Sequence, residues 1–291
     1  MMRLFLLTAL TMVAFAANSI LNRLALQDGG AGPASFAAIR LASGAMMLAL
    51  LVAWRDGGLR WRSGAEGVAA VFGPAALALY VLGFSFGYVT LPAGIGALIL
   101  FGGVQVTMFA GALIEGEVVP VQRWAGAVLS LGGLFYLMWP AEAGAAAPDG
   151  WGAALMALAA LGWGIYSLIG RGTSDPLAAT AVNFLWAVPA GALVWLILPD
   201  GADARGVALA VASGAVTSGL GYALWYQVMP RLGATRAAVA QLCVPVIAIA
   251  GGALLLSEPV TLRATVASAL VLGGVALANL GGRKASASPR R

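Results

Sequence analysis

The sequence predicts an all-α integral membrane protein, with ten transmembrane helices forming two five-helix repeats of inverted topology. Three observations predict it. The composition is too apolar for a soluble domain, ten apolar runs can each cross a bilayer, and the chain matches itself at a fixed offset. Hydrophobic residues fill 61% of the 291 positions and charged residues 9%, whereas a soluble domain carries about 25% charge. The apolar runs are continuous rather than alternating, which argues against a transmembrane barrel. The 40 glycines fit membrane helices, because small residues let backbones pack closely.

A crossing helix needs about 20 apolar residues. The first run, 4–26, follows Arg3 and passes through Ala14-Phe15-Ala16, which imitates a secretory leader and its cleavage site. It continues to Leu26 and is therefore read as a retained span. The second run, 33–54, opens at Pro33, and the third, 67–89, contains Pro74. The fourth, 92–114, opens at Pro92, and the fifth is 122–140. The sixth is 151–170; the seventh, 176–198, opens at Pro176 and holds Pro189. The eighth is 206–229, the ninth is 234–256 with Pro245 inside it, and the tenth, 261–280, follows Pro259. A proline at a helix start wastes no donor. Pro74, Pro189 and Pro245, inside their runs, are expected to kink them.

The chain repeats at an offset of 141: Gly111-Ala112-Leu113 returns as Gly252-Ala253-Leu254, Glu117 as Glu258, and Gly132-Gly133 as Gly273-Gly274. Near the front the offset is 148, pairing Ser19 with Ser167 and Arg23 with Arg171. The expected organisation is a first repeat over 1–140, a connector over 141–150, a second repeat over 151–283 and a basic cytoplasmic tail over 284–291. Five spans per repeat is an odd number, so the second copy enters the membrane from the opposite side.

With the N-terminus in the cytoplasm, 12 of the 16 Lys and Arg fall in inner loops and tails, 3 fall outside (Arg23, Arg205, Arg263) and Arg40 lies within the second span. The positive-inside rule thus places both termini in the cytoplasm. Basic residues scattered among short loops give no nucleic-acid surface. The chain has no histidine and a single cysteine, Cys243, read as a small buried hydrophobe. No metal cluster or P-loop is present, so no cofactor is expected. Gly83-Phe84-Ser85-Phe86-Gly87 fits a nucleophile elbow, but it lies in a span and lacks a histidine base. The chain is not read as an enzyme.

Ionisable groups inside spans mark ion coupling or cargo. Arg40 is the clear case, and two readings stand: snorkelling or packing near the outer surface, or holding a cargo carboxylate. What remains is neutral. Asn18 and Asn22 are i, i+4 on the first span with Phe15 on nearly the same face; Tyr80 and Phe84 are i, i+4 on the third. Trp163 and Tyr166 lie on the sixth span, Ser218 and Tyr222 on the eighth, Gln241 on the ninth. Buried polar groups in lipid need partners or a wet cavity. Their occurrence in both repeats points to a shared pocket, wet and uncharged, at mid-bilayer depth. The candidate binding residues are Asn18, Tyr80, Phe84, Trp163, Tyr166, Tyr222 and Gln241.

The doubled five-helix unit, and the copies ALIEGEVVPVQRWAGAVLSLGG (112–133) and ALLLSEPVTLRATVASALVLGG (253–274), make the chain resemble the EamA-type members of the drug/metabolite transporter superfamily. Arg231-Leu232-Gly233-Ala234 and Pro245-Val246 look like that family's second repeat, whereas Val104 stands where the first repeat would match Pro245. Asn18-Ser19-x-x-Asn22-Arg23 and the Trp163–Tyr166 face resemble the bacterial aromatic amino-acid exporter branch. The resemblance implies a secondary transporter exporting small metabolites, amino acids with aromatic preference among them, across the inner membrane by alternating access. The alternatives are another metabolite or drug as cargo, and, more distantly, a membrane protein without transport. The implied partners are a small-molecule substrate and the lipid bilayer, in a monomer or weak homodimer.

Overall fold

The computed structural model describes residues 2–27, 29–58, 68–114, 116, 119–139, 148–170, 173–232 and 240–280. Among these, the regular structure is helical apart from one isolated antiparallel bridge between Ala31 and Ala202. The first half contains α1 (Met2–Gln27), α2 (Pro33–Asp56), α3 (Val68–Gly87), α4 (Ala93–Ile114) and α5 (Val121–Met138). The second contains α6 (Gly150–Gly170), α7 (Pro176–Ile197), α8 (Ala204–Val211), a π-helical stretch (Ala212–Leu220), α9 (Gly221–Leu232), α10 (Cys243–Leu255) and α11 (Leu262–Leu280). Seven of these rods are long and apolar enough to cross a membrane: α1 to α4, α6, α7, and the continuous rod from α8 into α9. Cys243–Leu255 and Leu262–Ala278 are shorter apolar helices. Glu117, Arg171, the connector positions 141–147 and the basic tail lie outside the described residues.

The prolines act as the sequence suggests at helix starts: Pro33 and Pro176 occupy first-turn positions of α2 and α7. Pro74 and Pro189 stay inside their helices. At Pro245 the ninth run departs from a single helix. Ala240 and Gln241 are helical, Leu242 is a turn, and α10 begins at Cys243. Proline has no N–H for the carbonyl four residues back, and its ring crowds that carbonyl, so the break falls between Gln241 and Pro245. Cys243 is exposed on the bundle, which overturns its reading as a buried residue: it opens the new helix on the outward side.

Three antiparallel pairs join the two halves, α3 on α6, α5 on α11 and α2 on α7, while α4 runs parallel to α6 and also packs on α10. Absent side chains set the closest approaches. A Cβ on Gly162 would lie 2.7 Å from the Ala76 carbonyl oxygen and the Tyr80 nitrogen, and one on Gly83 would lie 2.7 Å from the Leu155 oxygen. On α5, a Cβ at Gly126 would lie 2.7 Å from Ala278, and one at Gly133 would lie 2.8 Å from Leu270. Equivalent residues meet at this interface. Ser130 Oγ donates to the Val271 carbonyl at 3.1 Å, and the two positions are 141 apart. Phe101 and Leu242, also 141 apart, line one small cavity together.

The bundle end away from the N-terminus is laced by loops. Gly32 N–H donates to Gly201 O at 2.8 Å and Asp203 N–H to Gly30 O at 2.8 Å. Asp200 accepts from the Ala34 and Ser35 amides at 2.9 and 2.7 Å, which caps the start of α2. Arg23 pairs with Glu258 at 3.3 Å and donates to the Tyr88 and Val89 carbonyls, while Glu258 accepts from Ala93 N–H at the start of α4. At the other end, Arg55 of α2 binds Asp175, the cap of α7, at 2.5 Å.

Candidate functional site

A cluster of aromatic rings lies between the halves. Trp163 of α6 stands 4.9 Å from Tyr80, 5.2 Å from Tyr222 and 5.5 Å from Tyr166, ring centre to ring centre. Tyr80 also meets Phe84 at 5.4 Å, and Tyr222 meets Phe15 at 5.8 Å and Phe184 at 5.9 Å. These separations are those of attractive offset and edge-to-face pairs. The local cause is legible in α6: Gly162 lets α6 close on Ala76–Tyr80, and the next residue, Trp163, is thereby set against Tyr80.

Phe15, Asn18, Ser19, Tyr80, Phe84, Leu100, Phe101, Trp163 and Tyr222 line a cavity of about 20 Å³, counted as space open to the centre of a water molecule. That is room for about one ordered water. A second cavity of about 10 Å³ lies on the other side of Phe101 and is lined by Gln105, Gln241 and Leu242 among others. Asn18, Tyr80, Phe84, Trp163 and Tyr222 are therefore brought to one cavity. Tyr166 joins its rim by stacking on Trp163, and its hydroxyl donates to Thr180 at 3.1 Å. Gln241 is not brought there: the break at Leu242 leaves it on the second cavity, facing Gln105 across a different gap. The expected wet pocket is in this conformation a narrow one.

Asn18 anchors the π-helical stretch. Its Oδ1 accepts from Ser213 at 2.8 Å, from Thr217 at 2.5 Å and from Ser218 at 3.5 Å. A π-helix closes its turn at i+5, so Ser213, Thr217 and Ser218 share one face, which an α-helix would split. Asn22, one turn on, donates through Nδ2 to Ser85 Oγ at 3.2 Å, and its Oδ1 has no hydrogen-bond partner among the described residues. Ser85 is fully buried in this contact; it serves as a polar link between α1 and α3.

The residues that line the cavity are uncharged, but a charge lies directly behind them. Arg40 is 0% exposed, so it does not snorkel; α2 turns this residue inward, against α3 and the π-helical stretch. Its Nη2 donates to the Tyr80 hydroxyl at 3.0 Å and its Nε to Ser218 Oγ at 3.3 Å. The guanidinium carbon lies 4.9 Å from the Phe84 ring centre and 5.2 Å from that of Tyr80. Nη1 has no partner among the described residues, and their ion pairs leave Arg40 without a carboxylate. Sequence spacing could not show this, because a single arginine two turns into a span fits either the surface or the interior.

Outside the spans, two carboxylates have shifted titration. The bond from Arg55, with its charge, holds Asp175 below the ordinary carboxylate range. Burial raises Glu258, against the lowering effect of the Ala93 amide and Arg23.

The sequence pattern described as the EamA-like transporter family matches twice, over residues 2–139 and 150–280. An uncharacterized protein of Pseudomonas aeruginosa is 48% identical over 277 residues, spanning 94% of each chain. An uncharacterized transporter of Archaeoglobus fulgidus is 24% identical over 208 residues, covering 68% of this chain and 72% of its own. A solved crystal structure covers 97% of this chain and 99% of its own at a TM-score of 0.68 and 19% identity, a likeness of fold.

Proposed function

From the premise that this chain belongs to the EamA-like transporter family, we propose that it exports amino acids, aromatic ones preferred, or similar small metabolites across the bacterial inner membrane. The cavity ringed by Trp163, Tyr80, Phe84 and Tyr222, with Asn18 at its wall, carries this reading. Ring faces offer area and π surface to an aromatic side chain. Room for one water is too little for an amino acid, so cargo enters only when the helices part.

The proposed mechanism is alternating access between two five-helix halves of inverted topology, ten spans in all, over residues 1–140 and 151–283, with both termini cytoplasmic. The antiparallel contacts between equivalent positions, Ser130 with Val271 and Phe101 with Leu242, support that arrangement. In this orientation the Arg23–Glu258 link and the Asp200 cap lie on the outer face, which supports a state closed toward the outside. Tyr166 and Gln241 belong to the path rather than to the resting cavity. A monomer suffices for this mechanism.

Flux of labelled tryptophan and alanine from proteoliposomes tests the proposal. Trp163→Ala is expected to slow tryptophan efflux by about tenfold or more, in line with the loss of a hot-spot aromatic contact, while leaving any alanine efflux within about twofold. Equal transport of both amino acids by parent and variant would remove the cavity from the path.

A further inference from the structure

Arg40 carries an obligation that the surrounding protein does not meet. A guanidinium keeps its charge under physiological conditions. Buried without an anion it is unfavourable, and ionisable groups held inside membrane proteins pair with one another or with what passes through. Two of its donors are used, on Tyr80 and Ser218, and one nitrogen, Nη1, is left over. Beyond the two hydroxyl oxygens that accept from it, its negative surroundings are the faces of Tyr80 and Phe84. A ring quadrupole attracts a cation but is a weak substitute for a carboxylate, which accepts two parallel N–H bonds from the guanidinium fork.

The position of Arg40 ties it to the cavity. Tyr80 and Phe84 are at once its ring partners and cavity wall, and Ser218 joins it to Asn18, a third wall residue. The guanidinium thus stands immediately behind the aromatic lining, reached when Tyr80 and Phe84 move apart. An amine could not settle there, because like charge repels it.

We propose that Arg40 docks the carboxylate of the cargo, which displaces the Tyr80 and Phe84 rings as its counter-charge, so that carriage requires an acid group and excludes aromatic amines. This rests on the transport reading of the cavity, and it narrows the cargo to aromatic carboxylates, with or without an amino group.

The test uses the full-length protein and three probes with one ring system: L-tryptophan, indole-3-propionate, which lacks the ammonium, and tryptamine, which lacks the carboxylate. Two readouts are taken, competition against labelled tryptophan efflux from proteoliposomes and the shift in melting temperature of purified protein. In the parent, both acids are expected to compete at concentrations at least about tenfold below tryptamine, as charge-assisted pairing implies, and to raise the melting temperature. Arg40→Gln should bring the three probes within about threefold by weakening the acids alone, and should abolish their melting shift. Arg40→Lys, which keeps charge but loses the fork, should fall between the two. Should Arg40→Gln fail to fold, the parent ranking and the Arg40→Lys values decide the matter. Tryptamine ranking with the acids in the parent, or an unchanged ranking in either variant, overturns the docking role while leaving transport intact. If no probe is transported yet the acids still stabilise the protein through Arg40, the transport reading fails and the docking site stands. If neither flux nor melting responds to any probe, both fail.

Discussion

Asn18 and Arg40 sit on opposite sides of one serine hydroxyl, and their contrast shows what spacing can reveal about single residues. Asn18, Tyr80, Phe84, Trp163 and Tyr222 were legible because polar and aromatic residues at i, i+3 or i, i+4 spacing inside apolar runs mark a face that packs on other helices. Arg40 was equally visible, but its direction was not, since that depends on how α2 is rotated against α3. Gln241 was misplaced for a local reason, the helix break beside Pro245. The loop carboxylates give a titration test with opposite signs. Asp175 has a folded pKa below its unfolded value, so its contribution is present above about 3.9 and is lost as pH falls through the folded value. Glu258 has a raised folded pKa, so its contribution is full below about 4.3 and is lost as pH rises through the folded value. Melting temperatures from pH 3 to 7 should show the acid limb flattened in Asp175→Asn and the higher limb flattened in Glu258→Gln. Parallel curves for parent and variants would contradict both assignments.

At the scale of elements, helix ends followed proline and glycine closely, as at Pro33 and Pro176, because those residues act through their own backbone. The π-helical stretch Ala212–Leu220 was not legible. Its small and hydroxyl residues suit an ordinary membrane helix as well, and it is the tertiary contact with Asn18 that gathers Ser213, Thr217 and Ser218 on one side. Small residues on α5 were visible, but which of them faced α11 was not. Gly126→Ala should destabilise the protein by about 1–3 kcal/mol, the usual cost of overpacking, since its Cβ would lie 2.7 Å from Ala278. Gly132→Ala, with nothing within 4 Å of its Cβ, should be neutral or slightly stabilising. Thermal unfolding in detergent compares them, and equal effects would mean that α5 and α11 are not held by this close approach.

For the molecule as a whole, the self-match at 141 positions was the strongest signal in the chain, because duplication leaves a trace that needs no energetic argument. It did not say which residues would meet; in the structure Ser130 lies against Val271 and Phe101 shares a cavity with Leu242, each pair 141 positions apart. The width of the central gap was not encoded in the same way, since it depends on conformational state. Orientation has a direct check. With Cys243→Ser removing the native thiol, Gly201→Cys is expected to react with an impermeant maleimide on intact cells. Gly58→Cys should react only after permeabilisation; both positions have free space around their Cβ. Reversed labelling would turn the proposed export direction around.

The permanent cation at Arg40 also makes the protein an electrical object. One elementary charge carried across the whole bilayer is worth about 2.3 kcal/mol per 100 mV. Whichever half-cycle shifts this guanidinium along the membrane normal takes a share of that work from the voltage. With a zwitterionic cargo, which adds no net charge, the share is the same filled or vacant, whereas a carboxylate without an ammonium cancels it; polarising the cell would bias the resting orientation of the carrier before any cargo arrives.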